Sequence, residues 1–162
     1  MRQIQMAMLA VLFLIFAGCT STTQDAGENN LSSRNIPTYQ ILKTGVYPHD
    51  DGRYLDAPKA FLVYYSDNAE DVASFGKEYR LLTGEEAPAF DGSVVIAKMG
   101  TKSTGGYSYA LHEIKEHESY IEVQIENRQP AADSIVTQAL TNPYIIVLLP
   151  ENHKEVKVTE VR

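Results

Sequence analysis

The sequence predicts an α+β fold, a mostly antiparallel β-sheet of about seven strands with one amphipathic helix at about 68–82. Short runs that alternate apolar and polar residues are typical of strands with one buried face. The stretch at 68–82 instead repeats apolar residues every three or four positions, as one face of a helix does. Ten tyrosines and no tryptophan also suit a β-rich chain, because tyrosine is favoured on a pleated surface.

Seven segments have the periodicity or β-propensity of strands. The clearest is 119–127, where isoleucine and valine alternate with glutamate and glutamine. Segment 143–149 is apolar at both parities, which predicts a central strand with Pro143 tolerated at its first position. The other predicted strands are 38–47, 60–66, 93–99, 106–114 and 155–161.

The predicted helix has recognisable ends. Asp67 followed by Glu70 is similar to a capping box, although the box proper uses Ser or Thr. Gly84 lies where a helix commonly ends in the left-handed conformation. The apolar stripe consists of Val72, Phe75, Tyr79 and Leu82.

The N-terminus has the pattern of an export signal. Arg2 precedes an apolar run of about signal-peptide length, and this run is too short to be a secure membrane span. The residues from Phe16 to Cys19 resemble the lipobox of bacterial lipoproteins, in which the chain is cut before an acylated cysteine. The alternative is an ordinary secretory signal with a coincidental cysteine, yet Cys19 is the only cysteine in the chain.

These features predict three parts: a lipoprotein signal peptide (1–18), an acylated Cys19 with a flexible tether (19–36), and a single domain (37–162). The tether is rich in Ser, Thr and Asn, as flexible linkers are. The predicted location is the cell envelope, with the membrane reached through the N-terminal lipid. Thr20 after the cysteine favours the outer over the inner membrane if the host is Gram-negative.

Charge and cysteine content exclude some classes of function. The formal net charge is −7, and it becomes −8 without residues 1–18, whose only charged residue is Arg2. Such an acidic chain lacks the clustered Lys and Arg that sequence-independent nucleic-acid binding requires. Because no cysteine follows Cys19, the domain has no disulfide and depends on packing for its stability.

The segment 99–117 contains two patterns that invite a chemical interpretation. Gly100 and Gly105 have the spacing of a phosphate-binding loop, but Gly106 and Tyr107 stand where that loop requires Lys and Ser or Thr. The following residues also predict a strand, so no helix N-terminus is available for a phosphate. The sequence therefore argues against this motif.

The second pattern is a histidine pair. His112 and His117 are five residues apart, whereas the zincin motif places two histidines four apart on a helix. On a strand this odd spacing puts them on opposite faces, and they are expected to flank a hairpin turn as solvated side chains. His49 and His153 lie in loop-like segments, and there is no G-x-S-x-G elbow. The sequence predicts no catalytic residues, no metal and no cofactor.

The turn formed by Thr104, Gly105, Gly106 and Tyr107 has two open interpretations. The glycines accept positive φ at little steric cost, and the Thr104 hydroxyl is expected to bond a nearby backbone group, so the motif is explained as a turn into a strand. Alternatively the turn is a contact surface, because functional residues are often on loops held by a rigid scaffold.

Three segments together resemble the PrcB family of bacterial lipoproteins. They are "VVIAKMGTKSTGGYSYALHEI", "SYIEVQIENRQP" and "TQALTNPYIIVLLP", and with the helix the resemblance covers roughly residues 60–150. The family is named for a subunit of a bacterial surface protease complex. The resemblance implies a non-catalytic component that supports a protease, with the T-G-G-Y turn as a signature whose role is not established.

The predicted function is therefore a lipid-anchored, non-catalytic protein-binding or assembly module. Its expected partner is an exported protease or another envelope protein, and an exposed edge strand offers a further route to binding. One alternative is a lipoprotein that binds a small sugar or peptide in a concave aromatic pocket. The other is a hydrolase with a dispersed site, which requires perturbed carboxylates or a charge-paired histidine in a cleft.

Overall fold

The computed structural model describes residues 37–47 and 58–162, and it confirms the predicted fold class. Seven strands and one helix are present in this part of the chain. In order they are β1 (Gln40–Val46), β2 (Ala60–Tyr65), α1 (Ala69–Thr83), β3 (Gly92–Lys98), β4 (Ser108–Glu116), β5 (Tyr120–Arg128), β6 (Pro143–Pro150) and β7 (Glu155–Val161).

The strands form two sheets. The larger has the order β1-β6-β3-β2 and is antiparallel throughout, whereas the smaller has the order β4-β5-β7. Strands β4 and β5 form an antiparallel hairpin, but β5 and β7 are parallel. Strand β7 follows β6, which belongs to the other sheet. No hairpin therefore joins β5 to β7, and the two strands run parallel.

The larger sheet is the middle of three layers. One core cluster lies between the sheets and includes Val95, Ile125, Ile145 and Val147. The other packs α1 on the opposite face of the larger sheet and includes Phe75. The sheet is therefore apolar on both faces.

This layering explains the continuous apolar run of β6. Tyr144 and Ile146 belong to the helix-side core, while Ile145, Val147 and Leu149 belong to the core between the sheets. Strand β6 pairs with β1 on one side and β3 on the other. The prediction of a central strand is confirmed.

The helix begins one residue later than the predicted capping box implies. Asn68, not Asp67, is the N-cap: its side-chain oxygen accepts hydrogen bonds from the backbone N–H of Glu70 at 2.9 Å and of Asp71 at 3.3 Å. Gly84 ends the helix with φ 73°, as predicted. No helix among the described residues is long and apolar enough to cross a membrane.

Three of the four stripe residues face the core. Phe75, Tyr79 and Leu82 are buried, but Val72 is exposed. The expectation for Val72 was wrong: it lies close to the N-cap at Asn68, and the buried part of the stripe begins only at Phe75.

A polar network joins the smaller sheet to the segment that enters β2. The Glu160 carboxylate accepts hydrogen bonds from the Tyr109 hydroxyl at 2.5 Å and the Asn127 amide at 3.1 Å, and it lies 2.7 Å from the Lys59 ammonium. Burial alone raises the pKa of Glu160, but the bonds from Lys59, Tyr109 and Asn127 outweigh it and lower that pKa to about 2. Burial raises the pKa of the Tyr109 hydroxyl, and its hydrogen bond to the Glu160 carboxylate raises that pKa further.

Candidate functional site

Two long connections cross between the sheets and lie side by side. Residues 99–107 lead from β3 to β4, and residues 129–142 lead from β5 back to β6. Lys102 and Thr141 form an antiparallel bridge, with N–H···O distances of 2.7 and 2.9 Å, and the Met99 N–H donates to the Pro143 carbonyl at 2.9 Å. We call this pairing of 99–105 with 137–143 the clasp.

The T-G-G-Y turn forms the far end of the clasp. The Gly105 N–H donates to the Thr137 carbonyl at 2.9 Å, and the Thr141 hydroxyl donates to the Thr104 carbonyl at 2.9 Å. The sequence predicted a bond from the Thr104 hydroxyl; the bond observed here is instead made by its carbonyl. The structure thus brings the turn together with a loop about thirty residues later, which local sequence does not reveal.

The two glycines are required for different reasons. Gly106 has φ 86°, as predicted, and a Cβ there would lie 2.9 Å from the Pro130 side chain. Gly105 does not have positive φ, so that part of the prediction was wrong. A Cβ on Gly105 would lie only 2.3 Å from the Thr137 hydroxyl oxygen, so glycine is needed here for the close approach of the loop.

Tyr107 completes the turn on its inner side. Its ring is partly buried against the core between the sheets, and the Lys102 ammonium lies 5.6 Å from the ring centroid. Thr104, Gly105, Gly106 and Tyr107 are therefore contiguous, and their contacts are with the protein's own loop and core.

The clasp holds a long loop that carries exposed apolar side chains. Ile135 is fully exposed and Leu140 is also exposed, although both are large apolar residues. Residues 129–142 form no helix or strand beyond the bridge at Thr141, and loops of this length are commonly functional. Sequence reasoning missed Ile135; the available signal was a large apolar residue in a proline-containing segment that predicts no helix or strand.

A second candidate site is concave and lies between the open edges of the two sheets. A groove of about 750 Å³ separates β4 from the start of β1. We call it the edge groove. Its described lining consists of Tyr39, Ile41, Leu111, His112, Glu113, Ile114, Lys115, Glu116, His117 and Lys154.

Both histidines of the predicted pair line the edge groove. His112 lies within β4 and does not flank the hairpin turn, whereas His117 is at the turn as predicted. The pairing register shifts between Leu111 and Glu113, so His112 is the extra residue of a β-bulge. This bulge changes the alternation of faces along β4, so the rule that an odd spacing puts two side chains on opposite faces does not apply directly to this pair.

The surroundings of His117 do not form a nucleophilic triad. Its ring stacks on Tyr120 at 4.2 Å, and its Nε2 lies 3.6 Å from the Glu122 carboxylate, beyond hydrogen-bond distance. The Thr159 hydroxyl donates to Glu122 at 2.9 Å, whereas a triad needs the hydroxyl on the imidazole. Hydrogen bonds, first from Thr159 and then from Gln124, lower the pKa of Glu122.

Other predicted residues are distributed as follows. His153 is exposed in the turn before β7, while His49 and Cys19 lie outside the described residues. Within the described part of the chain, no group of three or more His, Cys, Asp or Glu side chains is placed to hold a metal ion. Because Cys19 lies outside the described residues, the lipid anchor, the tether and the cell-envelope location stay predictions.

The fold and the clasp define a three-layer α+β domain built around two crossing connections that hold each other. The family model described as PrcB C-terminal matches residues 93–150. This match confirms the resemblance to the PrcB family predicted from the sequence, and it runs from β3 to β6, including both halves of the clasp. The helix and β2 lie before the matched segment.

Searches of curated proteins and of solved structures found no match.

Proposed function

We propose that this protein is a non-catalytic protein-binding module of the cell envelope, an accessory subunit that supports an exported protease. The observation that carries the proposal is the clasped loop with Ile135 exposed beside the clasp. The PrcB C-terminal match supports the link to a protease complex, since the family is named for such a subunit.

The clasp gives the loop the rigidity that a binding surface needs. Backbone bonds from Met99, Lys102 and Gly105 fix the C-terminal half of the loop to the first crossing connection. Ordering a contact loop before binding reduces the entropy lost on association. An exposed apolar side chain on such a loop is an efficient anchor, because a few buried residues carry most of the affinity at protein interfaces.

Lipidation supplies the second element of the proposed mechanism. An acylated Cys19 confines the domain to a membrane surface, and the tether at 19–36 lets it reach neighbouring proteins. Confinement raises the effective concentration of the module near other anchored or envelope proteins. A modest affinity at the loop is then enough for assembly.

Ile135→Asp is expected to reduce recovery of the protease partner at least about tenfold, because a charge at the contact centre must be desolvated on binding. Crosslinking of the full-length protein in its native membrane, followed by pull-down and quantitative mass spectrometry, measures this. The substitution is at a fully exposed side chain, so the thermal unfolding midpoint is expected to stay unchanged.

Leu81→Asp is the matched control, because Leu81 is also an exposed apolar residue but lies on α1, outside the clasp. It is expected to retain the partner. Equal recovery with both variants and wild type contradicts the role of the loop. Recovery of no protease by the wild type contradicts the accessory-subunit proposal itself.

Cys19→Ser is expected to abolish incorporation of a clickable palmitate analogue, because the acylated thiol is absent. Cells grown with the analogue and expressing either form are compared by in-gel fluorescence after immunoprecipitation. Labelling that persists in the variant, or is lacking in the wild type, contradicts lipidation at Cys19.

A further inference from the structure

The clasped loop contains a short extended segment where it enters the clasp. The Ser134 N–H donates to the Ala131 carbonyl at 3.0 Å and closes a tight turn, and residues 134–138 then run without a further turn or bend. Isoleucine, valine and threonine follow one another at 135–137, and such β-branched residues favour an extended backbone. The local sequence and the observed backbone therefore agree on an extended segment.

This segment is covered on one side and open on the other. The Gly105 N–H donates to the Thr137 carbonyl at 2.9 Å. The Val136 side chain lies so close to Gly106 that a Cβ there would be 3.1 Å from it. Ile135, the neighbour of Val136, is fully exposed instead. Successive side chains thus point to opposite sides, as they do along a strand, and the exposed side chain is fixed relative to the anchored ones.

The backbone of the segment is available for pairing with another molecule. Within the part of the chain that the structure describes, the N–H and C=O groups of Ile135 and Val136 make no hydrogen bond. The five residues at 134–138 carry no charge, although the whole chain has a formal charge of −7. The segment therefore offers free backbone groups and one exposed apolar side chain, with no charge that must be desolvated on binding.

These are the features by which an endopeptidase recognises its substrate. The substrate binds as an extended strand whose backbone pairs with the walls of the cleft, while the side chain before the cleaved bond fills a specificity pocket. A segment that is ordered in this form before binding loses less entropy on association, and protease inhibitors are preorganised in this way. The clasp gives residues 134–138 this kind of order.

We propose that residues 134–138 enter the active-site cleft of the partner protease as a substrate-like segment, with Ile135 in an apolar specificity pocket. This inference rests on the proposed function and adds to it both the place of contact and its consequence, since the protease is inhibited while the loop occupies its cleft. Hydrolysis of the Ile135–Val136 peptide bond is expected to be slow, because the clasp holds the chain that follows this bond and keeps it from leaving.

Filling the cleft beforehand tests the place of contact. The tagged full-length protein is added to detergent-solubilised membranes from a strain that lacks its own copy. One portion of these membranes is first treated with peptidic active-site inhibitors of the serine, cysteine, aspartic and metalloprotease classes. Recovery of the protease in the pull-down, measured by quantitative mass spectrometry, is expected to fall at least about tenfold after treatment, because the central contact is blocked.

Inhibition of the protease tests the role of Ile135. The protease identified in the pull-down is purified from the same strain and assayed on a short fluorogenic peptide, which the wild-type protein is expected to protect saturably. Ile135→Val keeps a β-branched apolar side chain and is expected to inhibit within about threefold of the wild type, whereas Ile135→Asp is expected to inhibit at least about 100-fold more weakly. Leu81→Asp, outside the loop, is expected to inhibit as the wild type does, and circular dichroism confirms folding.

Three results overturn the inference and leave the proposed function standing. They are equal recovery from treated and untreated membranes, cleavage of the fluorogenic peptide at full rate in the presence of the wild-type protein, and complete cleavage of the wild-type loop during the assay, which would make the segment an ordinary substrate. Recovery of no protease from untreated membranes contradicts the proposed function itself, and the inference with it. The two failures are therefore distinguishable.

Discussion

Gly105→Ala is expected to lower the free energy of unfolding by about 1–3 kcal/mol, as overpacking commonly does. The added Cβ would lie 2.3 Å from the Thr137 hydroxyl oxygen, and the Gly105 N–H also donates to the Thr137 carbonyl. Relief of the clash requires the two halves of the clasp to separate. Urea unfolding measures the cost, and hydrogen exchange of the Gly105 and Thr141 amides reports whether the clasp opens.

The double variant Gly105→Ala with Thr137→Ala provides the test of mechanism. Without the hydroxyl, the nearest remaining atom is the Thr137 Cβ at 3.6 Å, an ordinary contact. The second substitution is therefore expected to recover at least half of the lost stability, which a double-mutant cycle detects as coupling between the sites. Additive losses contradict the clash as the reason for glycine at 105.

Gly76→Ala is the matched control for the first substitution. It lies inside α1, where an added Cβ meets nothing within 4 Å. Alanine is favoured over glycine in a helix interior by about 0.5–1 kcal/mol, so this variant is expected to be more stable than wild type. The same chemical change thus has opposite effects at the two positions.

Glu160→Gln is expected to lower the free energy of unfolding by about 2–3 kcal/mol at pH 7. The carboxylate is paired with Lys59 and accepts hydrogen bonds from Tyr109 and Asn127. The variant keeps the shape of the side chain but loses the charge that holds this network. Urea unfolding at a series of pH values measures the difference.

The difference between wild type and variant is expected to diminish on acidification. The folded-state pKa of Glu160 is about 2, lowered from an ordinary value of 4.5. The stabilisation is therefore fully present above pH 4.5 and is lost as the pH falls towards 2. Other carboxylates contribute equally to both proteins, so subtraction isolates this one.

Glu155→Gln is the control for the acid titration. Glu155 is on the same strand, its side chain is 65% exposed, and its partner Lys157 is 3.8 Å away. Exposed pairs of this kind contribute about 0–1 kcal/mol, so little change is expected at any pH. The stabilisation is assigned to the Glu160 carboxylate. A loss of stability in Glu155→Gln as large as that in Glu160→Gln contradicts this assignment, and so does a loss in Glu160→Gln that does not depend on pH.

The regular elements were largely predictable because their signals are local. Alternation at 121–125 placed Ile121, Val123 and Ile125 on the buried face, and the structure agrees. The N-cap of α1 and the bulge in β4 were harder to predict from the sequence. Asn68 and Asp67 are both good N-cap residues, and whether His112 is an extra residue depends on its pairing with β5.

The candidate sites were only partly predictable for a related reason. The T-G-G-Y residues were identified from their pattern, but their contacts with Pro130, Thr137 and Thr141 come from a connection far along the chain. The edge groove depends on which strands are at the edges of two separate sheets. No local pattern reports either arrangement.

The sequence by itself determined the fold class, the helix, the central position of β6 and the resemblance to the PrcB family. Each of these depends on periodicity, propensity or a contiguous motif, which are properties of neighbouring residues. Only the tertiary structure decided that the strands divide into two sheets, that Gly105 is needed for space and not for φ, and that Ile135 is left in solvent. Those facts depend on contacts between residues distant in sequence, which are fixed only when the layers pack.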